Sequence, residues 1–244
     1  MDAESKNSQT RRMTAKTLRG LYPACLERGI FKMTRYLRRA ENCGHFRRMI
    51  PSSLLFCPGQ STEACLMRIG LISDTHIPEA CEHVPERVFE VFYGVDLVMH
   101  AGDVYINRVL DELATIAPVI AAIGNGDEGL DGHKHKLEID ERVRVAHLIE
   151  IEGLRIGLAH ALPTPDETSD EVFHRAMERH FGGPVDVLVM GHSHLEGVVR
   201  FGETLVINPG SATLPHNLVD VPGTVAILEI EAGGRVAAEI ITLE

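Results

Sequence analysis

The sequence predicts an α/β fold of two packed sheets with helices on their outer sides. Three observations carry this. Strand and helix patterns alternate between residues 67 and 123, paired strand patterns without helices close the chain, and polar residues follow directly on the apolar runs.

The elements follow in order. Met67 to Ser73 (MRIGLIS) is a short buried strand, Pro85 to Tyr93 an amphipathic helix, and Asp96 to His100 a second strand. Ile106 to Thr115 is a second helix and Pro118 to Ile123 a third strand. A polar loop with Gly126, Gly129 and Gly132 comes next. Arg142 to Ile151 and Leu154 to His160 are split by Glu152-Gly153, which reads as a hairpin turn. Asp166 to Phe181 is a helix with Asp166 as its N-cap, and Val185 to Met190 is another buried strand. Gly197 to Phe201, Thr204 to Ile207, Thr224 to Ile230 and Arg235 to Thr242 are the closing strands.

Charge divides the 244 residues unevenly. Residues 1–66 carry 12 Lys+Arg against 5 Asp+Glu, whereas 67–244 carry 12 against 30. Four of the five cysteines lie in the first part and 12 of the 13 histidines in the second. The first 66 residues show no sustained apolar period, so they read as a basic extension, disordered or translated from a start codon placed too early, with Met67 as a natural first residue. An organellar leader or a basic nucleic-acid-binding arm competes with that reading, although Asp2 and Glu4 speak against a leader. No run of about 18 apolar residues exists, which excludes an ordinary membrane-spanning helix. Five cysteines without a signal peptide suggest reduced thiols in a cytoplasmic protein.

The chemistry lies at the strand ends. The first strand ends in Asp74-Thr75-His76, the second in Gly102-Asp103, the third in Gly124-Asn125-Gly126-Asp127. Later strands end in His160 and in Gly191-His192-Ser193-His194. In α/β sheets the carboxyl ends of strands face one crevice, where ligands bind. Carboxylate, imidazole and amide oxygen form a mixed oxygen and nitrogen shell suited to divalent cations, with no thiolate. Taken singly, each motif has a plain structural explanation as a turn or a buried histidine. Five together, in order and each at a strand end, point to a metal centre.

This series resembles the calcineurin-like metallophosphoesterase superfamily. The length, the start MRIGLISDTH and the segment Ile207-Asn208-Pro209-Gly210-Ser211 are similar to its small capless phosphodiesterase branch, which also contains the retromer scaffold subunit. The resemblance covers 67–244 and none of 1–66. It implies a four-layer α/β/β/α sandwich with two facing mixed sheets. It implies that Asp74, His76 and His194 hold one metal, that Asn125, His160 and His192 hold a second, and that Asp103 bridges them. The implied metals are two divalent ions, Mn first, with Fe, Zn, Ni or Mg as alternatives. The implied reaction is hydrolysis of phosphodiesters or small phosphorylated metabolites, by in-line attack of metal-bound hydroxide.

The sequence also departs from the wider family. Many members carry His directly after the Asn as a candidate general acid, and here that position is Gly126. Asp127 is then a candidate proton donor, or else a hydrogen-bond partner of its loop. Asp103 and His160 join it as candidate catalytic residues, and Asn125 and His216 as candidate phosphate contacts. His133-Lys134-His135-Lys136 reads as an anion-guiding or simply solvated loop, and His100 as a partner of a ligand or merely buried. A non-catalytic scaffold of the same fold and a superfamily nuclease are the rival functions. An acidic domain lacks the basic track that a nucleic-acid backbone needs.

Overall fold

The structure, a computed structural model, describes residues 12–13, 66–129 and 136–244. The expectation for residues 1–66 therefore falls almost wholly outside the described residues, as does His133-Lys134-His135. Strands are numbered from the two-residue β1, Arg12–Met13, which pairs in parallel with β6.

The first half of the domain winds as strand, helix, strand, helix, strand. These are β2 (Leu66–Ile72), α1 (Glu86–Val91), β3 (Leu97–His100), α2 (Asn107–Ala114) and β4 (Val119–Ala122). The three strands are parallel and adjacent. The remaining elements are β5 (Val143–Arg144), β6 (Ala146–Ile151), β7 (Leu154–Ala159), α3 (Asp170–Phe181), β8 (Val187–Val189), β9 (Gly197–Phe201), β10 (Thr204–Asn208), β11 (Thr224–Glu231) and β12 (Val236–Thr242). Two six-stranded sheets result, ordered β12-β11-β2-β3-β4-β5 and β1-β6-β7-β8-β10-β9. Each mixes parallel and antiparallel pairs.

Alternation along the strands explains the layers. In β2, Ile69 and Leu71 face the second sheet and join Met99, Ile120, Ile156, Leu158 and Val189 in the central core. Ile72, Val98 and Val119 of the first sheet face outward, under Val88, Phe92, Leu110 and Leu113 from α1 and its following turn and from α2. Leu148, Leu188 and Val206 of the other sheet pack against Phe173, Met177 and Phe181 on one stripe of α3. The four-layer α/β/β/α order implied by the resemblance is therefore present. Each outer layer seats a phenylalanine over a glycine. A Cβ at Gly70 would lie 2.9 Å from Phe92 Cδ2, and one at Gly157 would lie 2.8 Å from Phe181 Cζ.

Two local expectations need correction. Helix α3 starts at Asp170, with Ser169 in the N-cap position, not at Asp166. The backbone N–H groups of Glu167 and Thr168 both donate to the Thr164 carbonyl, so a separate turn occupies that stretch. The run Arg142–Ile151 is not one hairpin arm. It breaks at Val145, which is 60% exposed, and changes sheets: β5 pairs with β4, whereas β6 pairs with β7. His147 spans the corner, with its Nε2 2.8 Å from the Ala121 carbonyl of β4. No helix among the described residues is long and apolar enough to cross a membrane.

Candidate metal centre

The five polar turns meet at one end of the two sheets. The turn after β2 and the turn after β3 are joined through backbone: Asp74 N–H donates to Gly102 O and His76 N–H to Asp103 O, both at 3.0 Å. Segment Asn208-Pro209-Gly210-Ser211, quoted above only as a motif, braces two of the turns. Asn208 Nδ2 donates to Gly191 O and Ser193 Oγ, and Ser211 Oγ donates to Asp74 O. These braces hold an unusual backbone. Asp74, His76, Asp103, His192 and His194 all have positive φ, between 45° and 71°, a region that side chains rarely adopt. Such strain costs on the order of 1–3 kcal/mol per residue and clusters at functional sites.

The donor atoms converge in two groups. His76 Nε2 is 3.1 Å from His194 Nε2, and Asp74 Oδ1 is 3.6 Å from the latter. His160 Nε2 is 3.0 Å from Asn125 Oδ1 and 3.2 Å from His192 Nδ1. Asp103 Oδ2 lies between them, 3.6 Å from His76 Nε2 and 3.6 Å from His160 Nε2. Its other oxygen accepts the Gly126 N–H. Donors held by one ion at about 2.1 Å stand about 3.0–3.4 Å apart in octahedral or tetrahedral shells, so both groups have the spacing of a coordination sphere. Donor atoms of Asp74, His76 and His194 all lie within 4.8 Å of one another, and so do those of Asp74, Asp103 and His160. All seven residues named for metal in the sequence come together.

The electrostatics point the same way. Burial, reinforced by the Asp103 charge and opposed by the Ser73 hydroxyl, pushes the Asp74 carboxyl up to about 8. Burial pushes the His76 imidazole down to about 4 against the pull of Asp103, and pushes His160 down as well. Burial thus favours the neutral forms of this carboxyl and these imidazoles. A cation ionises the first and accepts the lone pairs of the others. The donor set thus fits divalent metal.

The remaining candidates take other places. Asp127 is buried, and both carboxylate oxygens accept backbone N–H groups: Oδ2 from Asp103 and Gly124, Oδ1 from Tyr105. Of its two readings, the geometry favours the loop anchor over the proton donor. Burial raises its carboxyl to about 6 despite these bonds. His216 sits beside the centre, its N–H donating to His194 O, but its Nε2 lies 2.9 Å from Glu196 Oε2. That carboxylate competes with phosphate for the imidazole. Asn125 and His192 are exposed, while Asp74, Asp103, His160 and His194 are buried. His100 is fully buried, with Nδ1 accepting the Gly102 N–H and Nε2 3.1 Å from Thr75 Oγ1. It holds turns rather than a ligand side chain.

Tyr105 was not singled out from sequence. Its ring is buried, its hydroxyl is 2.6 Å from His76 Nδ1, and its N–H is held by Asp127. A Cβ at Gly126 would run into this ring. Nothing in Gly-Asp-Val-Tyr signals the contact, because it joins turns that only the fold brings together.

A two-sheet sandwich with a cluster of Asp, His and Asn at its strand ends defines a candidate divalent-metal centre of the hydrolase type. The calcineurin-like phosphoesterase superfamily domain matches residues 67–233, and the chain belongs to that family. A probable metallophosphoesterase of Methanothermobacter thermautotrophicus is 37% identical over 175 residues, 72% of this chain and 92% of the relative. A phosphodiesterase of Methanocaldococcus jannaschii is 30% identical over 177 residues, 68% of this chain and 94% of the relative. Vacuolar protein sorting 29 from Cryptosporidium parvum shares the fold, with a TM-score of 0.54 at 20% identity over 72% of this chain and 98% of its own.

Proposed function

We propose that this protein is a two-metal phosphodiesterase acting on small phosphodiesters or phosphorylated metabolites. The observation that carries the reading is Asp103 Oδ2, set 3.6 Å from a histidine nitrogen of each donor group. A bridging role accounts for one buried carboxylate oxygen held midway between two such groups.

Two divalent cations there would neutralise phosphate oxygens, lower the pKa of the attacking water and align it with the phosphorus. Asp74, His76 and His194 would hold one cation, Asn125, His160 and His192 the other, and Asp103 both. The chain's residues prepare this. Carbonyl oxygens of Ala101 and Leu214 accept the Nδ1–H of His160 and His194, at 2.8 Å each, and so turn Nε2 inward. Asn125 and His192 stand at the open side, where a substrate can reach them. Asp74, Asp103 and Asp127 line the floor with carboxyls and offer phosphate no positive charge, so the pull on phosphate would come from the cations. Gly126 offers no side chain to protonate a leaving group. Diesters with an acidic leaving group are therefore the favoured substrates, and aryl diesters should turn over faster than alkyl ones.

The scaffold alternative keeps the fold and needs no metal. Five ligand positions in left-handed backbone favour the metal-centre reading without deciding between turnover and scaffolding. The deciding test is hydrolysis of a chromogenic aryl diester with Mn, Ni, Mg, Fe and Zn supplied separately. Metal-dependent turnover supports the proposal, and inactivity with every metal supports the scaffold.

A further inference from the structure

We infer that Tyr105 is a positioning residue for His76, its phenol oxygen accepting the Nδ1–H and so presenting Nε2 to the cation. The inference rests on the metal-centre reading. Its basis is the set of imidazole anchors around the site.

Three histidines point Nε2 into the centre. His76 Nε2 faces His194 and Asp103, His160 Nε2 faces Asn125 and Asp103, and His194 Nε2 faces Asp74. A neutral imidazole that gives the Nε2 lone pair to a metal carries its proton on Nδ1. Each Nδ1–H then needs an acceptor. For His160 and His194 that acceptor is a main-chain carbonyl. For His76 it is Tyr105 Oη, at 2.6 Å. It is the one anchor among the three that a side-chain substitution can remove.

Tyr105 is itself held. Asp127 Oδ1 accepts its N–H at 2.7 Å, and its backbone stands at φ 74°. Its ring meets the His76 ring edge-on, with centroids 4.7 Å apart and planes at 78°. The ring lies against Gly126, where a side chain would collide with it. The absence of a side chain at 126 thus has a local cause: the space belongs to Tyr105. The same turn carries Asn125 of the second donor group. Asn125-Gly126-Asp127 therefore supplies a ligand to one group and, through Tyr105, supports a ligand of the other.

The test compares wild type with Tyr105→Phe, which keeps the ring and removes the oxygen. Mn2+ and Zn2+ are titrated against a competing chelator. In parallel, histidine ring protonation is read by 1H–15N NMR on the Zn2+-loaded protein. Wild type should show His76 as the Nδ1–H tautomer. The variant should weaken one binding step by about 10–100-fold, leaving the other within about twofold and the melting temperature nearly unchanged. Unchanged affinity at both steps in Tyr105→Phe overturns the inference. So does an equal loss at both steps together with lost stability, which marks a merely structural role. His76 protonated on Nε2 in wild type overturns it without any variant. Failure of wild type to bind either cation overturns the metal-centre reading itself.

Discussion

The two donor groups are built from the same unit, a polar turn at the end of a strand, yet they differ in charge, exposure and backbone. Asp74, His76 and His194 include a carboxylate of their own, whereas Asn125, His160 and His192 include only a neutral amide. Asp103 Oδ2 stands equally far from a histidine of each group, so the first group has two carboxyls within reach and the second one. All three members of the first group have positive φ, and in the second only His192 does. The first is enclosed, and the second exposes Asn125 and His192. The contrast teaches that one site can be built for retention and the other for access. The strained group with two carboxyls is the one that hydrogen bonds with Ser73, Ser211, Tyr105 and the Leu214 carbonyl hold in place.

The bridge is where the comparison breaks first. Asp103→Asn removes charge from both groups, so turnover of an aryl diester should fall by orders of magnitude with either metal occupancy affected. Wild-type-like rates would mean that Asp103 does not bridge. Next in size is the difference between the groups. Asp74→Asn should weaken the tighter metal-binding step, and Asn125→Ala the looser one, each by more than the roughly 10–100-fold expected of outer-shell changes. Calorimetric titration checks this, and the opposite assignment would reverse the comparison.

A smaller effect separates support from packing. Gly126→Ala forces a methyl against Tyr105, and Gly157→Ala forces one against Phe181. Each should cost about 1–3 kcal/mol of stability by overpacking. Only the first should also loosen metal binding, a difference that thermal melts and titrations run on the same samples will show.

The smallest effect concerns pH and is read at His147, which lies away from the ligands. Burial holds His100 at about 3 and His147 at about 4, below the ordinary 6.5. Their unfolded forms take up protons first, so the stability of the neutral buried state is full above pH 6.5 and declines as pH falls toward 4. Asp127, raised to about 6, acts in the opposite sense between 3.8 and 6. His147→Gln should narrow the stability gap between pH 7 and pH 5 by about 1–2 kcal/mol in urea unfolding. An unchanged gap would show that His147 does not contribute.

Much of this was legible beforehand because it repeats locally. Short apolar runs marked β2, β3, β4 and β7. The ligands were legible because each follows an apolar run directly. The break at Val145 was not, since Arg142–Ile151 is apolar enough for one strand and holds no Gly or Pro to announce a change of sheet. The start of α3 was misplaced because Asp166 and Ser169 are both good caps, and the choice was made by a turn closing on Thr164. Asp127 and Tyr105 gained their roles from partners 22 to 29 residues away.

By itself the sequence determined the class of fold, the kinds of donor atom and their order along the chain, because periodicity and residue chemistry are local properties. The tertiary structure decided which oxygen of Asp103 lies between the groups, that Asp127 anchors backbone, and that Tyr105 faces His76 above Gly126. Those outcomes depend on distances of about 3 Å between turns that the chain brings together only when the two sheets pack. No pattern within one turn encodes such a distance.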